Sequence, residues 1–235
     1  MDIHDYLKRI NYQGSLEPTL QTLQALHEAH LLAVPFENLS IHYGQPITLQ
    51  EELLFNKIVR KHRGGFCYEL NGLFAWLLGQ LGFKVTLLSA EGAGEAGNFS
   101  PPYDHLTLLI HQLSGTDWLA DVGFGDSFLR PLRFEGDLEQ EDVNGQRYRL
   151  HRNDDEQAAH TKHEYWTVQQ FSNATWQSHY RFTLQPHALT DFTERCIYQQ
   201  TSPDSHFTQQ RICSLATPTG RITLSDLRLI TTIHG

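Results

Sequence analysis

Large apolar residues recur every three or four positions at Phe66, Leu70, Leu73, Phe74, Leu77, Leu78 and Leu81, the spacing that lines one face of a helix. The pattern predicts a helix that starts at about Cys67 and ends near Gly82, a residue type that closes helices in the left-handed conformation at little steric cost. Upstream, Tyr6, Leu7 and Ile10 follow Asp2 or His4 as an opening residue, and Leu20, Leu23, Leu26 and His27 follow Pro18, a favoured first-turn residue. Pro35 interrupts the helices by removing a donor and pushing Val34 toward extended geometry. Thr48 or Gln50 opens a further helix through Leu53, Leu54, Ile58 and Val59. It ends in the basic run Arg60-Lys61-His62-Arg63, read either as a solvated turn or as a group that attracts an anion or pairs with Glu37.

From Phe83 the period falls to two, with Phe83, Val85 and Leu87 alternating with Lys84, Thr86 and Leu88, and the chain turns to strand. Residues 105–110 form a second strand with His105, Thr107 and Leu109 on one face, and residues 118–123 a third with Leu119, Asp121 and Gly123 on one face. The turn residues Ser114-Gly115-Thr116-Asp117 between them predict an antiparallel pair. A loop centred on Leu113 sets His105 across from Asp121, and one centred a residue later shifts the pair by two positions. Either register keeps the carboxylate within reach of the imidazole.

Further on the chain is all-β in tone. Asn144-Gly145 marks one hairpin, and Ser172-Asn173 another between residues 165–168 and 175–184. Residues 92–100, 135–141 and 154–156 read as loops, and the aromatic richness of this region as core. A helix from Thr190 or Asp191 through Tyr198, a break at residues 202–207, and strands at 211–215 and 221–224 complete the pattern.

At 235 residues the chain is long enough for one large or two to three small packed units. A net charge of -9 argues against nucleic acid as the principal partner. No apolar run reaches membrane-spanning length, and residues 1–5 lack the basic-then-apolar pattern of a secretory signal. Three cysteines, Cys67, Cys196 and Cys213, at spacings that suggest neither a disulfide framework nor a CxxC site, point to a reducing cytoplasm. Among fourteen histidines, His27 with His30 and His160 with His163 share a three-residue spacing that could offer two metal ligands. Neither pair has a neighbouring Cys or a third clear ligand, so these positions are expected to be solvated and no metal is expected.

The candidate chemistry centres on Cys67. Its place in the first turn of a helix, beside backbone N–H groups that lack intrahelical partners, favours a thiolate and offers donors to an oxyanion. Gly64 and Gly65 just before it let the backbone turn and approach a ligand closely. A lone Cys is also a common core filler. What shifts the reading toward a nucleophile is a base, His105, and an orienting carboxylate, Asp121, on neighbouring strands. Cys196 and Cys213 read as buried inert thiols.

The segments Pro35-Phe36-Glu37-Asn38-Leu39, Arg63-Gly64-Gly65-Phe66-Cys67-Tyr68-Glu69-Leu70-Asn71, Asp104-His105-Leu106, Asp121-Val122-Gly123-Phe124-Gly125 and Ser202-Pro203-Asp204-Ser205-His206-Phe207 together resemble the arylamine N-acetyltransferases. The resemblance implies an α+β protein with a cysteine-protease-like core. A helical bundle would span 1–83, an antiparallel β-barrel-like domain 84–186 and an α/β lid 187–235. It further implies an enzyme of xenobiotic metabolism with Cys67, His105 and Asp121 as a triad and acetyl-CoA as donor co-substrate. Phe36, Phe124 and Phe207 would form aromatic walls for a small aromatic amine or hydrazine, with Gly125, Ser205 and the turn near Asp126 and Ser127 toward coenzyme A. Family members continue past the strand at 227–230 into further strand and a closing helix, whereas this sequence ends at Gly235. That predicts a shortened lid and faster acceptor-independent hydrolysis of acetyl-CoA. The oligomeric state is open. Two other readings remain: the same triad with another acyl donor, as in an enzyme that closes a polyketide by forming an amide, and a binding module that keeps the pocket without catalysis.

Overall fold

The computed structural model describes residues 1–94, 97–153 and 164–233. The His160–His163 pair, the acidic stretch 154–156 and part of the 92–100 loop lie outside the described residues.

Helix α5 (Cys67–Gln80) organises the N-terminal part. It is buried nearly all round, with Leu70, Leu73, Phe74, Leu77 and Leu78 fully covered, as expected of a helix with partners on every side. Around it pack α1 (Ile3–Arg9), α2 (Leu20–Ala33), the short α3 (Leu39–His42) and α4 (Glu51–Phe55). The last of these continues as a π-helical turn, Asn56–Arg60, that the apolar spacing did not announce. Arg9 ties this layer together. Its guanidinium, buried on α1, donates to the carbonyls of Ala33 at the end of α2, Ile58 within the π-helical turn and Arg63 in the loop after it.

The basic run resolves into the paired reading at one end. Arg63 holds Glu37 at 2.8 Å, while Arg60 reaches the exposed Glu52. His27 and His30 are not solvated. Both lie at 0% exposure on the core face of α2, because the stripe of Leu23 and Leu26 turns them inward and each finds a partner there.

Eight antiparallel strands follow in the order β5-β4-β3-β2-β9-β8-β7-β6 and curl into a nearly closed barrel. These are β2 (Val85–Gly92), β3 (His105–Leu113), β4 (Thr116–Ala120), β5 (Leu132–Arg133), β6 (Gln140–Glu141), β7 (Arg147–Asn153), β8 (Tyr165–Ser172) and β9 (Thr175–His187). The hairpin at Asn144-Gly145 joins β6 to β7, and the next turns one residue later than expected, between Ser172 and Thr175. Barrel aromatics fill a second core of Phe128, Tyr148, Trp166, Tyr180 and Phe182. Strand β3 is covered on both faces, its Leu106, Leu108 and Ile110 toward the helices and Leu109 toward the barrel core, which is why its sequence reads as nearly continuous hydrophobe.

The β3–β4 pairing takes the later of the two registers. Leu108 faces Ala120 and Ile110 faces Trp118, so His105 and Asp121 sit diagonally on one face. β4 stops at Ala120, short of the expected Gly123. The helices are the cause: the Asp121 N–H goes to His27 Nε2 and the Val122 N–H to Asn71 Oδ1, so side chains distant in sequence take the donors that a ladder would have used.

The chain closes with a 3-10 turn (Leu189–Phe192), α6 (Thr193–Thr201), α7 (His206–Gln209), and β10 (Ile212–Thr217), β11 (Gly220–Ser225) and β12 (Arg228–Ile233). These strands form a separate antiparallel sheet with β1 (Phe36–Glu37), a strand that sequence reading missed because two residues carry no period. Phe36 pairs with Ser214, which brings the start of the chain to its end.

Candidate active site

Cys67 is the first residue of α5 and only 4% exposed, His105 the first of β3 at 5%, and Asp121 the first beyond β4 at 1%. The helix is stapled to both strands by its own side chains. Asn71, one turn beyond Cys67 on the same face, donates to Asp121 Oδ1 at 2.8 Å and to the Leu106 carbonyl at 2.6 Å, and accepts from the Val122 N–H. Tyr68, beside Cys67, donates to the carbonyls of Tyr103 and Asp104. Gly123 completes the contact. A Cβ there would lie 2.8 Å from the Cys67 Cα, so only glycine lets this strand end approach the helix so closely.

His105 Nε2 meets Asp121 Oδ2 at 2.6 Å. The carboxylate can only accept, so Nε2 carries the proton and Nδ1 is left as the basic nitrogen. Burial by itself would push the Asp121 carboxyl up. The His105 charge and hydrogen bonds from His105, Asn71 and the Gly123 N–H outweigh it and hold Asp121 below the usual carboxylate range. The Cys67 thiol goes the other way: burial pushes it well above its ordinary value, Asp104, Cys196 and Asp121 add to the rise, and the Leu106 N–H opposes it. The expectation that a helix start alone favours the thiolate therefore gives way. In this dry setting the sulfur ionises only in company with a cation.

Gly64 and Gly65 also serve the chain rather than a ligand. A Cβ on Gly64 would lie 2.0 Å from the Pro35 carbonyl oxygen, and one on Gly65 would meet the Glu69 side chain. Glu69, buried at 1%, accepts from the Phe66 N–H and from Lys57, and so fixes the turn that presents Cys67.

The three aromatic residues named as candidate walls make ring contacts near this place. Phe36 and Phe207 pack at 6.1 Å, and Phe207 meets Phe66, the neighbour of Cys67, edge-on at 5.7 Å. Phe124 meets the His105 ring edge-on at 5.2 Å. Gly125, at φ +94°, lies against the Phe36 ring. Ser205 is buried, its hydroxyl accepting from the Phe207 N–H and donating to the Gln199 carbonyl. It also lines a cleft of about 390 Å³ with Gly92, Ser100, Asp104, Tyr198 and His206. Among the described residues no three His, Cys, Asp or Glu side chains converge as a metal site.

The family model described as N-acetyltransferase matches residues 19–235. The chain belongs to the arylamine N-acetyltransferase family. It is 37% identical over 231 residues to the arylamine N-acetyltransferase pineal gland isozyme NAT-3 of Gallus gallus, covering 94% of this chain and 79% of that one. To the arylamine N-acetyltransferase of Escherichia coli it is 34% identical, covering 95% and 76%. The solved arylamine N-acetyltransferase of M. tuberculosis superposes with a TM-score of 0.89 at 32% identity, over 99% of this chain and 84% of that one. That of Mycobacterium marinum in complex with CoA superposes at 0.87 and 31%, over 99% and 84%. As an arylamine N-acetyltransferase family member the protein is an acetyltransferase enzyme. No helix among the described residues is long and apolar enough to cross a membrane.

Sequence reading named Cys67, His105 and Asp121 as candidates but missed the hydrogen bonds that Asn71 and His27 make beside them. Asn71 was detectable, since a polar residue four positions after Cys67, within the apolar stripe of its helix, must spend its amide on something buried. Nothing local distinguished His27 from a solvated histidine, because its partners lie 94 and 102 positions away.

Proposed function

We propose that this enzyme moves the acetyl group of acetyl-CoA to small aromatic amines or hydrazines through a thioester on Cys67, with His105 as base and Asp121 as its orienting carboxylate. The observation that carries the reading is the buried Asp121–His105 pair, held by Asn71 to the helix that Cys67 opens. Nδ1 of His105 takes the Cys67 proton, and the imidazolium so formed, steadied by Asp121, supplies the cation that the buried thiolate needs. The sulfur attacks the acetyl carbonyl, whose oxygen becomes an anion held by backbone N–H groups of the first turn of α5. On collapse the C–S bond to coenzyme A breaks and His105 returns its proton to the departing sulfur. An arylamine, unprotonated near neutral pH, then attacks the Cys67 thioester. His105 accepts the amine proton, the C–S bond to Cys67 breaks, and the acetylated amine leaves.

Phe36 and Phe207 on one side and Phe124 on the other suit a flat acceptor by stacking and edge contacts. The cleft bearing Ser205 is where coenzyme A would approach, Ser205 serving as wall and cap because its hydroxyl is spent within the chain, and Gly125, against the Phe36 ring, is a second candidate contact. A division at 1–83, 84–186 and 187–235 fits these roles: nucleophile on the first part, base and carboxylate on the second, and Phe207 on the third. Three unpaired cysteines agree with a cytoplasmic setting.

The test is initial-rate kinetics with acetyl-CoA and a panel of anilines and hydrazines. Two half-reactions sharing one site give parallel double-reciprocal lines. Lines that intersect, or acetylation that persists in Cys67→Ser, would remove the thioester from the pathway.

A further inference from the structure

The imidazole of His27 joins two distant points of the backbone. Its Nδ1 lies 2.8 Å from the Leu129 carbonyl oxygen, and its Nε2 lies 3.0 Å from the Asp121 nitrogen. The carbonyl can only accept and the amide can only donate, so the ring must be neutral with its proton on Nδ1. One side chain thereby closes both ends of segment 121–129, which starts with the carboxylate beside His105 and carries Phe124 and Gly125. The ring has no freedom to tilt. It stacks on Phe128 at 5.8 Å with 12° between planes, meets Phe74 edge-on, and is 0% exposed. Burial also lowers its pKa to about 4, consistent with a ring that stays neutral.

We infer that His27 is a positioning residue for acetyl transfer: by holding the Asp121 backbone it aims the carboxylate at His105, and by holding Leu129 it sets Phe124 at the same time. This deepens the reading above and rests on it. The consequence follows from the chemistry of the pair. If Asp121 drifts, the His105 cation loses its partner, and the Cys67 thiolate that depends on that cation becomes scarcer.

Two variants separate positioning from mere packing. His27→Leu fills similar space but neither donates nor accepts, whereas His27→Gln can do both. Rates of iodoacetamide alkylation of Cys67 across pH, and kcat/KM for aniline acetylation, are read at a temperature where circular dichroism shows each variant folded. We expect His27→Leu to alkylate about tenfold more slowly at pH 7, its inflection moved upward, and to lose about 10- to 100-fold in kcat/KM. His27→Gln should recover to within about threefold. A folded His27→Leu chain with wild-type alkylation and transfer overturns the inference, whatever its melting temperature. Should His27→Leu not fold, nitrogen NMR of the wild-type imidazole decides. A neutral ring protonated at Nδ1 down to pH 5 is the expected result, and a proton on Nε2, or titration near pH 6.5, overturns it. Alkylation needs neither acetyl-CoA nor an amine, so a failure of the acetyl-transfer reading shows in the kinetics while the effect of His27 on the thiolate is judged separately.

Discussion

An amide cannot stand in for the carboxylate at position 121. Oδ1 accepts from Asn71 and from the Gly123 N–H, while Oδ2 faces His105. Asp121→Asn must therefore put its oxygen at the first place and its NH2 at the second. That NH2 would donate to His105 Nε2 and drive the ring proton to Nδ1, the nitrogen that should receive the proton of Cys67. A fall in kcat of about 10³- to 10⁴-fold is expected, with the fold retained by circular dichroism. A loss below about tenfold would reduce Asp121 to a structural partner. Helix position favours the thiolate, but burial and three neighbouring groups push Cys67 up, so the larger effect is desolvation and the imidazolium has to offset it.

The element that carries the nucleophile is built for one close approach. Gly123 lies against the backbone of Cys67 itself, an atom that cannot move aside as a flexible side-chain end would. Gly123→Ala should cost about 1–3 kcal/mol as overpacking, read in urea unfolding, together with a loss of transfer greater than the loss of folded protein explains. Unchanged stability would mean that α5 and the segment after β4 can separate freely. Helix α5 and its start were legible in the sequence because a seven-residue apolar stripe and a glycine stop leave one reading. The His105–Asp121 meeting was legible because two strands joined by a short turn allow only two registers that keep these residues on one face. What stayed hidden depends on contacts between distant segments. The two-residue strand β1 exists only because β10 pairs with it, and β4 ends early only because His27 and Asn71 take its donors. The burial of His27 and His30 was missed for the same reason.

Across the whole molecule, those buried histidines set the response to acid. Burial lowers His27 to about 4, and burial together with the His27 and Arg9 charges lowers His30 to about 3. The unfolded chain, with histidines near 6.5, then binds more protons than the folded one, so stability is full above about pH 6.5 and falls as pH drops toward 4. A loss on the order of 1–2 kcal/mol per ring between pH 7 and pH 5 is expected in urea unfolding. A flat midpoint across that window would contradict the buried neutral state. Asp121, held low, contributes stability that is lost only at more acid pH, as it falls through the depressed carboxyl value. Glu69 and Asp142, raised chiefly by burial, act in the opposite sense at that end. The barrel strand β3 and the helices α5 and α6 bring their residues together around the Cys67 sulfur. Folded protein is incubated with acetyl-CoA alone and read by intact mass and peptide mapping, then aniline is added. One acetyl group on Cys67, discharged to the amine and absent in Cys67→Ser, is the predicted result. No acetylated protein, or an acetyl group on any other residue that turns over, would contradict it.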